Sequence, residues 1–480
     1  MFATRELEKK YENDIEDQLY NHKEKSEKCD QIFRTLPKSY RIQPILRAII
    51  IPSVCGLFTL AIFKEIFVVD PFLGIYGVGV VFLIFASFFF RYTKYKDPSL
   101  ISSSVDSHGD VSVPELRKPL ASVIIAAKNE PFLISNAVNA CLKSSYDNLE
   151  IFLVNDGSSD DTGVRMDLLH EENPDKVKVF HTAKNMGKRK AIVQAITHGD
   201  IKGEIIVLHD SDTIVHENAI ERLINAFKDP NVGAATAYCR AMNADENFLT
   251  KMQDVWYHGS FSIFKGMESS FGSVTCCSGV LSAYRREAIM PCLDSWSNDK
   301  FLGEEFIPGD DRQLTSYVIG GNKHYLGKQY RTWKACYCES AQILTEVPST
   351  FRKFVNQQIR WKKSWVRVFL FNAPFYYRDR DPIAAAFYYI QTILSFVGPI
   401  IILRNLIILP MIGHYLPAVL YVAGIMFIAS LFAMDFKFRN PNSGNRWVYR
   451  FILTLISVIG LNTLLYYSIY TIKRRSWLTR

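Results

Sequence analysis

Two apolar runs near the start of the chain limit what it can fold into more than any other feature. Residues 48–69, broken only by Lys64 and Glu65, and residues 71–90, which carry no charge, each approach the roughly 20 residues a helix needs to cross a bilayer. In lipid a backbone must satisfy its own hydrogen bonds, so both runs read as helices. Asp70 and Pro71 mark the join, which makes the pair a hairpin. Arg47 precedes it, and Arg91, Lys94 and Lys96 follow; such cationic flanks favour the cytosolic side for both ends. Lys64 and Glu65 would then lie near the far interface, where they snorkel or pair.

Three more apolar segments, 383–403, 415–434 and 447–472, close the chain, and the basic connection DFKFRNPNSGNRW reads as cytosolic. Three crossings would leave the C-terminus outside, whereas Lys473, Arg474, Arg475 and Arg480 favour inside. Either the last segment is re-entrant or interfacial, or one run hides two crossings, with 406–412 the candidate piece. Between the apolar regions lies a soluble α/β domain over 118–347. Its short apolar runs 122–125, 150–154, 177–180, 204–208 and 233–237 alternate with helical patterns, which predicts a mostly parallel sheet. Around it stand a charged cytosolic tail (1–42), the hairpin (43–92), a linker (93–117), amphipathic interfacial helices (348–382), the C-terminal membrane region (383–472) and a cytosolic end (473–480). No secretory leader pattern is visible near Met1. A net charge of +8, with no arginine-rich tract, argues against nucleic acid and fits membrane flanks. Nine scattered cysteines suit a reducing compartment, and the lone Cys336-x-Cys338 lacks the second pair of a zinc site.

Residues 204–213, EIIVLHDSDT, run as a buried strand into Asp210 and Asp212. Alternate side chains of a strand point the same way, so both carboxylates can face one crevice at its carboxyl end. Hard oxygen ligands there suit Mg²⁺ or Mn²⁺, with phosphate oxygens completing the shell. Alone, the pattern is equally a polar turn after a core strand; its neighbours decide. The first strand leads into Asn129 and Glu130 and the second into Asp156, so Glu130 and Asp156 can hydrogen-bond a uracil or ribose from the same crevice, though each by itself is an ordinary turn. Gly187, Lys188 and Arg189 stand at a helix start, able to hold phosphate oxygens or to form a solvated basic turn. Cys276, Cys277 and Ser278 put small residues where a sugar can approach closely, or else form a core strand. Asp311 is placed to act as base for transfer to a hydroxyl, while Asp310 orients neighbours or caps a helix. In the amphipathic stretch after residue 348, Trp361 can stack on a sugar ring, Arg360 can counter charge on a departing diphosphate, and Gln357 can hydrogen-bond either. A Trp–Arg pair also serves as a plain membrane-surface anchor.

Taken in order, VNDGSSDDT, NMGKRKA, HDSDT, CCSGVLSAYRRE, FLGEEFIPGDDRQLT, TEVPSTF, QQIRWKKSW and YSIYTIKRRSWLTR resemble the membrane-embedded processive family-2 glycosyltransferases, and within them the hyaluronan synthases. The likeness covers residues 121–480 with short gaps. It implies an α/β, Rossmann-like GT-A catalytic domain on the cytosolic side, inserted between N-terminal and C-terminal transmembrane helices, with amphipathic interfacial helices. By that resemblance Asn129, Glu130, Asp156, Lys188, Asp210, Gln357, Arg360, Trp477 and Arg480 would bind UDP. Asp212 with Asp210 would hold Mn²⁺ or Mg²⁺, and Asp311, Arg360 and Trp361 would carry catalysis. Cys276, Cys277, Ser278, Asp310 and Trp361 would face the acceptor.

The implied activity is inverting, processive polymerisation of UDP-N-acetylglucosamine and UDP-glucuronate, with export of the polysaccharide through the protein's own membrane channel. The implied partners are UDP-sugars, the growing polymer and the plasma-membrane bilayer, and a monomer is compatible with all of them. Departures from the pattern are Leu478 where glycine is usual, Val280 where proline is usual, the run 264–270 without the usual acid and arginine, an insertion at 327–334, and the charged tail. They keep open a chitin-like or other capsular or wall polysaccharide made from a different UDP-sugar, or a single transfer to a lipid carrier. A catalytically silent glycan-binding subunit would have no use for Asp210, Asp212, Asp311 and Arg360 together.

Overall fold

The computed structural model describes residues 27–33, 70–100 and 118–474. The expected first membrane run with Lys64 and Glu65, most of the tail and linker, and Trp477 and Arg480 lie outside those residues.

Helix α1 (Pro71–Thr93) starts where the sequence places the join. The Asp70 carboxylate accepts from the N–H groups of Phe72 and Leu73 at 3.0 and 3.2 Å, and Pro71 needs no partner for a missing N–H. The α/β domain then runs β1 (Ala121–Ala127), α2 (Pro131–Leu142), β2 (Leu149–Asn155), α3 (Thr162–Glu172), β3 (Val177–His181), α4 (Lys188–His198), β4 (Ile205–Asp210) and β5 (Thr213–Val215). It continues with α5 (Ala219–Asn225), β6 (Val232–Ala241), α6 (Phe248–His258), β7 (Leu281–Arg285), a small hairpin β8 (Lys300–Phe301) and β9 (Glu304–Glu305), α7 (Asp310–Ser316) and β10 (Lys334–Thr345).

The eight main strands form one sheet in the order β3-β2-β1-β4-β7-β6-β10-β5. The chain winds from β1 outward to β3, then returns to place β4 on the other side of β1. That reversal opens a crevice at the carboxyl ends of β1 and β4, where Ala126 pairs with Asp210. Strands β1 and β2 are buried along their whole length, as their largely apolar runs require, and the one charged residue among them, Glu150, accepts from Ser122 Oγ at 2.6 Å and Lys178 Nζ at 3.1 Å. All five expected strands are present. The sheet is mostly parallel, as expected, with two reversed strands that were not: β7 runs antiparallel to both β4 and β6, and β5 antiparallel to β10. The β7 sequence LSAYR follows the small-residue loop 275–279, whose composition masks the strand that comes after it.

The expected amphipathic segment is the long helix α8 (Phe351–Asp379), followed by α9 (Pro382–Leu403), α10 (Leu416–Arg439), α11 (Tyr449–Leu455) and α12 (Leu464–Tyr470). Among the described residues four helical runs are long and apolar enough to cross a membrane: Pro71–Leu100, Pro382–Met411, Leu416–Arg439 and Pro441–Tyr470. Residues 406–412 are no separate crossing, since α9 continues through a wider helical turn at Arg404–Ile408 to Met411. The last run leans on the α/β domain and the helix after it: Leu453 and Leu461 pack with Leu249 and Met252 of α6 and Phe354 of α8. Ser468 Oγ donates to the Ile359 carbonyl at 3.4 Å, and Lys363 Nζ to the Arg474 carbonyl at 3.4 Å. The described end of the chain therefore sits beside the helix that carries Gln357, Arg360 and Trp361.

Candidate active site

The crevice collects the strand ends one by one. Beyond β1, Asn129 adopts a left-handed conformation (φ 56°), which an asparagine tolerates, and its Oδ1 accepts from Ser159 N–H at 3.0 Å. Glu130 accepts a hydrogen bond from Ser211 Oγ, so the residue between Asp210 and Asp212 ties β1 to the turn after β4. Beyond β2, the buried Asp156 takes Met186 N–H at 2.8 Å and Gly187 N–H at 3.0 Å on its two oxygens. Asp156 thus fixes the loop that starts α4. The positive φ of Gly187 (89°) is the bend that sends Lys188 back toward the crevice.

Lys188 Nζ donates to Asp210 Oδ1. Burial raises the Asp210 carboxyl, but the Lys188 ammonium outweighs it and holds the group below the ordinary carboxylate range, with the Arg360 guanidinium adding to the effect. Asp212 goes the other way. Burial first, then the charges of Asp210 and Glu346, push it up to about 6. Two carboxylates at alternate positions make an oxygen-donor set that fits a divalent cation. Among the described residues no group of three or more His, Cys, Asp and Glu side chains is gathered for a metal, so phosphate oxygens would have to complete the shell. Gly279 is the point where the Asp210 and Asp311 sides of the crevice meet. A Cβ there would lie 3.8 Å from both Asp210 carboxylate oxygens and 3.8 Å from Asp311 Cβ.

Asp311, in the first turn of α7, faces the same space. Its Oδ2 accepts from Gly279 N–H at 3.2 Å and Cys276 Sγ at 3.5 Å, and its Oδ1 from Arg312 N–H at 2.7 Å. Asp310 does not face the acceptor side, against expectation. Its Oδ1 takes Arg189 Nε at 2.8 Å and Nη2 at 2.5 Å. Arg189 also gives Nη1 to the Trp296 carbonyl and Nη2 to the Ile307 carbonyl, so it is a buried tie between α4 and α7, not a phosphate ligand. Cys277 is fully buried with its N–H on Thr315 Oγ1 and cannot touch a sugar; Cys276 is partly open and Ser278 Oγ accepts from Lys265.

From α8, Trp361 meets Trp256 edge-on at 6.1 Å between ring centres and Tyr257 at 6.3 Å, an aromatic group bordering the crevice. Gln357 and Arg360 lie on the preceding turn, all three half-buried. The sequence gives no role to Glu346, although TEVPSTF contains it, nor to Lys265 and Glu268, although the run 264–270 that holds them stands out as a departure from the family pattern. The Trp256 and Tyr257 rings reach Trp361 only because α6 packs on α8, a non-local contact that local sequence does not encode.

A sequence model described as glycosyltransferase-like family 2 matches residues 119–364. The chain belongs to the family-2 glycosyltransferases. The transferase is 30% identical over 369 residues to a hyaluronan synthase of Streptococcus pyogenes, spanning 75% of this chain and 83% of that one. It is also 30% identical over 285 residues to an N-acetylglucosaminyltransferase of Rhizobium meliloti, covering 57% of this chain and 63% of the relative. Among solved structures, a mannosyltransferase from Pyrobaculum calidifontis in complex with GDP-Man and Mn²⁺ shares 16% identity, with 85% of this chain and 99% of that chain covered at a TM-score of 0.49, too loose a likeness to bear on function.

Proposed function

We propose that the transferase is an inverting, processive polymerase of UDP-sugars, hyaluronan-like in using UDP-N-acetylglucosamine and UDP-glucuronate, that passes its product through its own membrane helices. The observation that supports this reading is that Asp210 and Asp311 converge on Gly279, each within 3.8 Å of where its Cβ would stand, so a carboxylate on the diphosphate side and a base would flank one reacting centre. Asn129, Glu130, Asp156 and Lys188 bind the nucleotide, with Gln357 and Arg360 beneath the diphosphate. Asp210 and Asp212 would hold Mn²⁺ or Mg²⁺, which supplies charge neutralisation for the leaving diphosphate.

Asp311 takes the proton of the acceptor hydroxyl. The oxygen forms its bond to the anomeric carbon as the bond from that carbon to the UDP oxygen breaks, with inversion. Arg360 meets the charge that grows on UDP, and Trp361 stacks the acceptor ring. Cys276 and Ser278 border the acceptor. The catalytic domain and both termini lie in the cytosol, and the plasma membrane is the site of export. The similarity to an N-acetylglucosaminyltransferase supports a second reading, a chitin-like product from UDP-N-acetylglucosamine alone.

Purified protein with Mn²⁺ or Mg²⁺ is given each donor alone and then both, UDP release is followed, and the product is treated with hyaluronidase. Synergy with a digestible polymer supports the first reading, and polymer from one donor supports the second. No UDP release with either donor, in wild type and Asp311→Asn alike, sinks both.

A further inference from the structure

We infer that Lys265 and Glu268 are positioning residues that hold the acceptor side of the active site in register with Asp311, an inference that rests on the transfer reaction proposed above. Both residues stand on the helical segment 259–269 that continues from α6. Lys265 Nζ donates to the Cys276 carbonyl and, at 3.0 Å, to Ser278 Oγ. Three residues on, Glu268 accepts from Thr275 N–H at 3.1 Å and Thr275 Oγ1 at 2.8 Å. Residues 275–278 form no regular structure, so nothing in a sheet or helix ladder sets their path. These four hydrogen bonds hold it from one side, while Cys277 N–H on Thr315 Oγ1 at 2.9 Å and Ser278 N–H on Thr236 Oγ1 at 3.1 Å hold it from the domain core. The same short loop delivers Cys276 Sγ and Gly279 N–H to Asp311 Oδ2. The base is thus oriented by a loop that is itself pinned from outside the crevice.

The pinning segment has a rigid backing. Gly266 sits between Lys265 and Glu268 against α1, where an added Cβ would lie 2.3 Å from Arg91 Cδ. Ser270 Oγ donates to the Phe90 carbonyl at 3.3 Å, and Phe90 meets Phe271 edge-on at 5.0 Å. A membrane-capable helix, the clamp and the base therefore form one contiguous series of contacts. The hydrogen bonds of Lys265 and Glu268 go to residues 275–278, on the Asp311 side of the crevice, so losing the clamp should misplace the acceptor and base while leaving the nucleotide side in order. A displacement of about 1 Å at a reacting group can cost on the order of 10²-fold in rate.

The test uses the full-length enzyme in detergent, with Lys265→Met, Lys265→Arg and Glu268→Ala. Three quantities are read: UDP affinity by calorimetry, KM for donor against kcat, and the share of consumed donor that goes to water instead of sugar. Lys265→Met should bind UDP within about twofold of wild type and keep its donor KM, while transfer falls at least about tenfold and the share lost to water rises. Lys265→Arg should regain most of the transfer, and Glu268→Ala should shift the same quantities in the same direction. Transfer at the wild-type rate in Lys265→Met overturns the inference. So does a loss of UDP affinity that matches the loss of transfer and that Lys265→Arg fails to restore, since that pattern is a general structural defect. Wild-type protein that releases no UDP from either donor fails the proposed function itself, and takes this inference with it.

Discussion

Arg91 near the end of α1 donates to Glu339 of β10 at 2.6 Å, and both side chains are buried. The other Glu339 oxygen accepts from Arg439, near the end of α10. Two membrane-capable helices are thereby fixed to one strand of the catalytic sheet by a single carboxylate. Alongside it, Tyr92 and His258 both donate to Asp435, and Arg240 and Arg446 converge on Asp254. The soluble domain is anchored to its helices by buried charge.

Glu339→Gln should cost stability rather than chemistry. Burial raises the Glu339 carboxyl, but Arg439 and Arg91 outweigh it and hold it at about 2, against an ordinary 4.5. Removing one partner of such a buried group leaves the others uncompensated and typically costs about 3–5 kcal/mol. A carboxyl whose folded value is depressed stabilises above its unfolded value and loses that contribution as pH falls through the folded one. The gap in thermal unfolding temperature between wild type and variant should be constant from pH 6 to 8 and narrow as the pH drops below 4.5 toward 2. A gap that does not change with pH would refute an ionic role for Glu339.

Asp310 and Asp311 are neighbours in sequence with separate duties. The Asp310 carboxylate is spent on Arg189, whereas Asp311 faces Gly279 and Cys276. Asp310→Asn should lower the melting temperature by several degrees, through loss of a paired charge beside the buried Arg189. Asp311→Asn should melt within about a degree of wild type and bind UDP normally, yet lose about 10²-fold or more in transfer, the usual scale for a general base. Equal effects of the two substitutions on melting and on rate would mean that the assignment of the base is wrong.

What could be read from the sequence and what could not divides along physical lines. The crevice was legible because strand ends in a wound α/β sheet converge by topology, so Glu130, Asp156 and Asp210 could be grouped from local pattern alone. The two reversed strands, β5 and β7, were not, because the direction in which a strand joins the sheet is a non-local choice that no local period encodes. Arg189 and Asp310 read as ligands because exposed loops and buried ion pairs use the same residue types. Only the fold shows that each one satisfies the other. Lys265 was passed over for the converse reason: its acceptors are a backbone carbonyl and a serine, which leave no trace in sequence spacing.

Gly279→Ala should separate space from strain. The added methyl would meet its neighbours at 3.8 Å, an ordinary contact distance, so the variant should fold and melt like wild type. The same methyl fills the gap between Asp210 and Asp311 that a diphosphate and an acceptor hydroxyl must share. Transfer should fall at least about tenfold, since displacing reacting groups by a fraction of an ångström forfeits the orientation on which rate depends. The check is a steady-state rate beside a melting curve, and full activity would show that the reacting centre lies elsewhere.

Metal binding should follow the protonation of Asp212. Burial, with the charges of Asp210 and Glu346, lifts this carboxyl from an ordinary 3.8 to about 6. A carboxyl raised in the folded state costs stability wherever both states are ionised, above about pH 6. That cost is relieved as pH falls from 6 toward 3.8, where the folded state holds a proton that the unfolded state has lost. A divalent cation ligated by Asp210 and Asp212 needs Asp212 ionised, so protons compete with it, and affinity should weaken about tenfold per pH unit below 6. Mn²⁺ should accordingly raise the melting temperature of the wild-type enzyme more at pH 7.5 than at pH 5, in the absence of any substrate turnover. In Asp212→Asn the stabilisation by Mn²⁺ should be lost at both values, while the metal-free variant should melt above metal-free wild type at pH 7.5 because the strained charge is gone. Mn²⁺ stabilisation that is the same at pH 5 and 7.5, or that survives in Asp212→Asn, would place the cation on other ligands.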